Sequence, residues 1–180
     1  MNRRSFVAAM AAVSSLFSSS GTANAGSSAE QKLRDLGLSL PDPASPIAVY
    51  VPFRIVGSQV FIAGQIPPLD ADIPTTGKVG AELSVEQGYA AARLAGLKVL
   101  AQLRVACDGD LDRVVQALQI RGFVNCTAEF DQQSGVINGA SQLFRDVFGD
   151  AGLAARAALG TNALPGNAAV EIESIFEIRR

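Results

Sequence analysis

The segment between residues 156 and 173 constrains this chain most. Val170-Glu171-Ile172-Glu173 alternates apolar and acidic side chains, the period of a strand with one buried face. Leu164-Pro165 marks a turn before it. Upstream, Arg156 stands alone among small residues, Ala154-Ala155-Arg156-Ala157-Ala158. A hairpin-like return would bring Arg156 and Glu171 within reach of each other. A fixed guanidinium beside a carboxylate can hold a carboxylate-bearing ligand and orient a water. An ordinary surface ion pair uses the same two residues and contributes little to stability. Spacing alone leaves both readings open.

Composition narrows the chemistry by exclusion. The 180 residues include no histidine and no tryptophan. Without histidine there is no Ser-His-Asp triad, no Cys-His dyad and no His-ligated zinc. Acid–base work falls to carboxylates, tyrosine, lysine or bound water. Two cysteines, Cys107 and Cys126, cannot make a four-thiolate metal site. Neither a G-x-x-x-x-G-K-[ST] loop nor a G-x-G-x-x-G fingerprint is present. These exclusions leave the chain few tools, and a reaction that needs no metal and no cofactor would agree with them.

The first residues read as an address. Arg3-Arg4 precede an alanine-rich apolar run from Phe6 to Phe17, and Ala23-Asn24-Ala25 supplies an A-x-A cleavage pattern. The run is too short to span a bilayer as a stable helix. Arg3-Arg4-Ser5-Phe6 resembles a twin-arginine signal, and a general secretory signal is the rival reading. Cleavage near Ala25 would export the protein to the periplasm. It would leave 155 residues and move the formal charge from −2 to −4, because the removed segment carries two arginines and no acids. An acidic domain without a Lys/Arg cluster is poorly suited to nucleic acid. No later apolar run is long enough for a membrane span, so neither partner is expected.

The domain plan is a signal over 1–25, a flexible Ser/Pro-rich arm over 26–45 with a short amphipathic piece from Glu30 to Leu38, and a single domain over 46–180. Val49 to Val56 and Gln59 to Ala63 read as strands joined by a Gly57-Ser58 hairpin turn. Ser84, with Gln87 three residues on, opens a long helix to about Ala106 through a capping box. Its small residues, Ala90 to Ala92, Ala95 and Gly96, permit close approach to a sheet. Leu111 to Val124 reads as a central strand and Ser134 to Phe148 as a helix. Strands at about Ala155 to Thr161 and Ala168 to Ile178 close the domain. The order β-β-α-β-α-β-β gives an α+β fold, a mixed sheet with two helices on one face. Val60, Ile62 and Val124 are expected on the other face, calling for a partner subunit to cover them. Cys107 and Cys126 fall at opposite ends of the central strand, roughly 30 Å apart at strand rise, and so remain free thiols.

Tyr50, Gly57, Gly64-Gln65-Ile66-Pro67, Asn138, Arg156, Leu164-Pro165 and Val170 to Glu173 resemble, in order and spacing, the Rid (reactive intermediate deaminase, YjgF-type or L-PSP-like) family from about residue 45 to 180. Arg-x7-Leu-Pro-x4-Val-Glu-Ile-Glu is the most specific part. The resemblance implies a chorismate mutase-like fold and a homotrimer with ligand clefts between subunits. For the arginine-bearing branch it implies hydrolysis of 2-imino or 2-enamino acids to 2-oxo acids and ammonia, as in 2-iminobutanoate/2-iminopropanoate deaminases. Arg156 would hold the substrate carboxylate, Glu171 the hydrolytic water, and Tyr50 and the backbone at Gly64 would line the cleft. Asn138 also matches, although an asparagine at a helix start often serves local hydrogen bonding. The small polar or thiol residues that often follow the family's arginine are Ala157 and Ala158 here, so Ala158 would serve through its backbone. The segment from Thr127 to Ile137 is longer and more polar than is usual in the family. These departures motivate an alternative, a non-catalytic trimeric binding or regulatory module for small carboxylates. Ribonuclease activity, from an older family name, runs against the acidic charge and the missing histidines.

Overall fold

The alternating pattern of the last strand organises the whole sheet. The computed structural model describes residues 28–180; the export signal lies outside the described residues. β1 (Phe53–Val56), β2 (Gln59–Gln65), β3 (Val114–Asn125), β4 (Ala155–Thr161) and β5 (Val170–Ile178) form one sheet in the order β1-β2-β5-β3-β4. Only β3 and β4 run parallel; every other neighbouring pair is antiparallel. β5 is flanked on both sides and is strictly amphipathic. Val170, Ile172, Ser174, Phe176 and Ile178 are buried, while Glu171, Glu173, Ile175 and Glu177 are half-buried on the other face.

Helices α2 (Val85–Ala106) and α3 (Gln133–Phe148) cover the buried face. Phe144 and Phe148 of α3 meet Phe176 edge-on, with ring centroids 5.4 and 6.2 Å apart, a favoured aromatic geometry. α2 starts at the expected capping box: the Gln87 N–H donates to Ser84 Oγ at 3.2 Å and the Ser84 N–H donates to Gln87 Oε1 at 2.8 Å. The fold is α+β, a mixed sheet with α2 and α3 on one face, as expected, with several corrections.

The small residues of α2 admit α3 as well as the sheet. A methyl group on Gly88 would press on Val136, and one on Gly96 would press on Leu143 and Ala140. β1 begins at Phe53, not Val49, because Pro52 has no N–H to give a ladder. A 3₁₀ turn, Leu111–Arg113, capped by Asp110, precedes β3. The segment read as a flexible arm contains helix α1 (Ala29–Asp35), docked by buried Leu33 and by the Ala29 N–H, which donates to Asp112 Oδ1 at 2.8 Å. Gln102 Nε2 pins the arm further on by donating to the Ala44 carbonyl at 2.8 Å.

Val60, Ile62 and Val124 correct the expectation for the open face. All three point at the helices and are buried. The cross-strand rows place Phe61, Ile175, Gln119 and Ala155 on the open face, then Arg121, Glu173 and Ala157, then Phe123, Glu171 and Leu159. Alternation assigns parity, but it cannot say which parity meets a helix until strand order is fixed.

Candidate functional site

Arg156 lies on β4, an edge strand, and pairs with Ile120 of β3, which pairs in turn with Ser174 of β5. Ile120 and Ser174 are buried on the helix side, so Arg156 emerges on that side too. There its Nη1 donates to Asn138 Oδ1 at 2.8 Å and to Ser141 Oγ at 3.0 Å. Both acceptors are neutral and one helical step apart on α3, so they fix the guanidinium without cancelling its charge. The site reading of Asn138 and its local hydrogen-bonding reading therefore describe one contact. Arg156 borders an open cleft of about 410 Å³, with Tyr89, Asn138, Ser141, Arg145 and Leu153 among its walls. Among the described residues no carboxylate lies within salt-bridge distance of Arg156.

Glu171 is elsewhere. It pairs with Phe123 and shares the open sheet face with Glu173. β3 separates β4 from β5, so no hairpin joins Arg156 to Glu171, and within one chain they lie on opposite faces of the sheet. The hairpin expectation fails because Leu164-Pro165 and a 3₁₀ turn at Pro165–Asn167 carry the chain across β3 rather than back along β4.

The fold distinguishes the two glutamates. Glu173 is bound to Arg121 at 2.9 Å. Glu171 has no basic partner within 4 Å among the described residues. Burial, and then the neighbouring Glu173 carboxylate, push the Glu171 carboxyl above its ordinary value. Gly64 of β2 lies against it: a methyl at Gly64 would stand 1.9 Å from Glu171 Oε1. The missing side chain therefore leaves room for the carboxylate as well as exposing backbone.

The remaining expected residues separate as well. Tyr50 is 44% exposed in the irregular stretch before β1 and does not line the Arg156 cleft. Ala158 packs against the core from β4, leaving only its main chain available. Cys107 and Cys126 are free and buried, and burial pushes the Cys107 thiol up to about 11, suppressing the reactive thiolate. Among the described residues no group of three or more His, Cys, Asp or Glu side chains is placed to hold a metal ion.

Tyr89, Ser141, Gln142 and Arg145 were missed from the sequence. Their signal was present: Asn138, Ser141, Gln142 and Arg145 follow the i, i+3, i+4, i+7 spacing of one helix face. A second cleft lies beside Lys78, whose Nζ is held in place by donating to Asn125 Oδ1 and to the Cys126 and Asn162 carbonyls.

A five-stranded mixed sheet with α2 and α3 on one face and a cationic cleft at its parallel edge defines the class as chorismate mutase-like α+β. The comparisons go one step further. A family model described as "YjgF/chorismate_mutase-like, putative endoribonuclease" matches residues 30–177. Protein TCP17 of Trypanosoma cruzi is 43% identical over 147 residues, 81% of this chain and 91% of that protein. Atu1372 of Agrobacterium tumefaciens, a solved structure of unknown function, is 42% identical with a TM-score of 0.76, over 84% of this chain and 94% of that one. A Shewanella oneidensis structure carrying the same endoribonuclease description is 35% identical with a TM-score of 0.80, over 84% and 100%. The chain belongs to the YjgF/Rid family.

Proposed function

We propose that this protein hydrolyses reactive 2-imino or 2-enamino acids to 2-oxo acids and ammonia, in clefts between copies of the chain in a homotrimer. The observation that carries the reading is Arg156: its position is fixed by two neutral groups, it faces an open cleft, and its charge is uncompensated. Arginine can grip a carboxylate through two parallel hydrogen bonds. Once the carboxylate is held, little further catalysis is required. A protonated imine carbon is already electrophilic; water adds to it, the C–N bond breaks, and nitrogen leaves as ammonia while the carbonyl forms.

Glu171 is suited to the proton traffic. A carboxyl held above its ordinary value accepts a proton from the attacking water more readily than an exposed one does. Because Arg156 and Glu171 face opposite ways in one chain, the reading places the Arg156 cleft of one copy against the open face of the next, with Gly64 beside Glu171 and Tyr50 lining the rim. The substrate is a small carboxylate, and no residue role in this scheme calls for a metal, a cofactor, nucleic acid or a membrane. The N-terminal residues favour export to the periplasm as the setting, which fractionation of an epitope-tagged full chain would check.

The direct test supplies imines in situ from an amino-acid oxidase and follows 2-oxo acid and ammonia formation. Acceleration is expected with the wild-type protein and not with Arg156→Ala. Saturable 2-oxo acid binding without acceleration would replace the deaminase with the carboxylate-binding module that Ala157 and Ala158 favour. RNA cleavage surviving stringent purification would revive the nuclease reading.

A further inference from the structure

We propose that the Arg156 cleft is built for two negative charges, so that the preferred substrate is the 2-imino form of a dicarboxylic amino acid. The inference rests on the reading of Arg156 as the carboxylate anchor and adds a second anchor, Arg145.

Arg145 lines the same cleft as Arg156. It sits on the α3 face that holds Arg156, four residues beyond Ser141 and seven beyond Asn138. Four residues correspond to an offset of about 6 Å along the helix. A four- or five-carbon diacid places its two carboxylates on that scale, and both guanidinium groups sit on long side chains able to adjust to it.

The charge balance of the cleft supports a doubly anionic occupant. Its lining residues include two arginines and no acid. The nearby acid on α3, Asp146, is already engaged: Arg93 Nη1 lies 3.3 Å from Oδ2, and Gln142 Nε2 donates to Oδ1 at 2.7 Å. Among the described residues no carboxylate lies within salt-bridge distance of Arg145. Two guanidinium groups with no acid between them in their own chain repel each other; the neighbouring copy's Glu171 is assigned to the water, so a ligand carrying two carboxylates relieves that repulsion more fully than a monocarboxylate does.

The experiment is calorimetric titration of the full-length protein with 2-oxobutanoate and with 2-oxoglutarate at 0.15 M salt, using wild type, Arg145→Gln and Arg156→Ala. Arg145 is exposed, so its substitution leaves the core untouched. Wild type is expected to bind 2-oxoglutarate at least tenfold tighter than 2-oxobutanoate, on the order of one charge-assisted contact in a partly solvated cleft. Arg145→Gln should erase that preference by weakening 2-oxoglutarate binding several-fold more than 2-oxobutanoate binding. Equal affinity for the two acids in wild type, or a preference that survives Arg145→Gln, overturns the second anchor while the Arg156 site stands. Equal weakening of both acids by Arg145→Gln also overturns it. If wild type binds neither acid, or if Arg156→Ala still binds 2-oxobutanoate, the underlying carboxylate-site reading is lost and the inference falls with it.

Discussion

Glu171 and Glu173 are chemically identical, two residues apart and on one face of β5, yet only Glu173 has a cation beside it, Arg121 at 2.9 Å. Glu171 is left with burial and a like charge, both raising its proton affinity. The sign of the consequence is fixed. In the unfolded chain the carboxyl titrates near 4.5, and in the folded chain it titrates higher, so the folded state binds the proton more tightly between the two values. That contribution to stability is complete below the unfolded value and is lost as pH rises through the folded one. Glu171→Gln should therefore melt higher than wild type at pH 7, converge with it below about pH 4, and lose imine hydrolysis. A variant that melts lower at pH 7 would show that the Glu171 carboxylate stabilises the fold instead. The sequence marked Glu171 and Gly64 separately. Their contact became visible only when β2 was laid against β5, because a glycine's role here is the space it leaves for another strand's side chain.

At the scale of elements, α3 is both a layer of the core and the support of the Arg156 cleft. Val136, Ile137, Ala140, Leu143, Phe144 and Val147 are buried, while Asn138, Gln142 and Arg145 stay exposed and Ser141 half-buried on the cleft side. Its seating against α2 depends on Gly139, where an added methyl would lie 2.0 Å from the Tyr89 carbonyl oxygen. Backbone cannot swing aside as a side-chain end can. Gly139→Ala should therefore cost about 1–3 kcal/mol as an overpacked contact, seen as a fall in melting temperature of roughly 2–4 °C per kcal/mol for a domain of this size. Because Asn138 is the adjacent residue, 2-oxo acid affinity should fall with it. An unchanged melting temperature would mean that the two helices can slide apart freely. The capping box and the helix lengths were legible beforehand because they depend on residues three or four apart. Which neighbour the glycines of α2 would meet was not, since that is a relation between two helices.

For the whole molecule, the open sheet face is the unfinished part. Phe61 and Leu159 are 39% and 48% exposed there, beside half-buried Phe123 and Ile175. Among the described residues, β1 and β4 also each leave one strand edge unpaired. Such edges and apolar faces are protected in native proteins by pairing or cover. If one copy supplies Arg156 and another Glu171, then co-expressed Arg156→Ala and Glu171→Gln chains should regain imine hydrolysis that neither has alone, because mixed assemblies contain some clefts with both residues intact. Co-purified mixed assemblies that stay inactive would place the two residues' work within one chain and remove the shared-cleft reading.

The sequence by itself determined the order of the strands and long helices from β1 to β5, the helix start at Ser84, the amphipathic last strand and the identity of Arg156, Asn138 and Glu171 as residues of interest. Each is written in local spacing, in period two, period 3.6 or a three-residue cap, and needs no knowledge of distant neighbours. Tertiary structure decided the rest. Insertion of β3 between β4 and β5 sent Arg156 and Glu171 to opposite faces, turned Val60, Ile62 and Val124 toward the helices, and gave Arg121 to Glu173. It also set Arg145 beside Arg156 across a turn of α3. These are outcomes of strand order and register, which are fixed by burying the helix-facing side of the entire sheet at once and so cannot be read from any one segment.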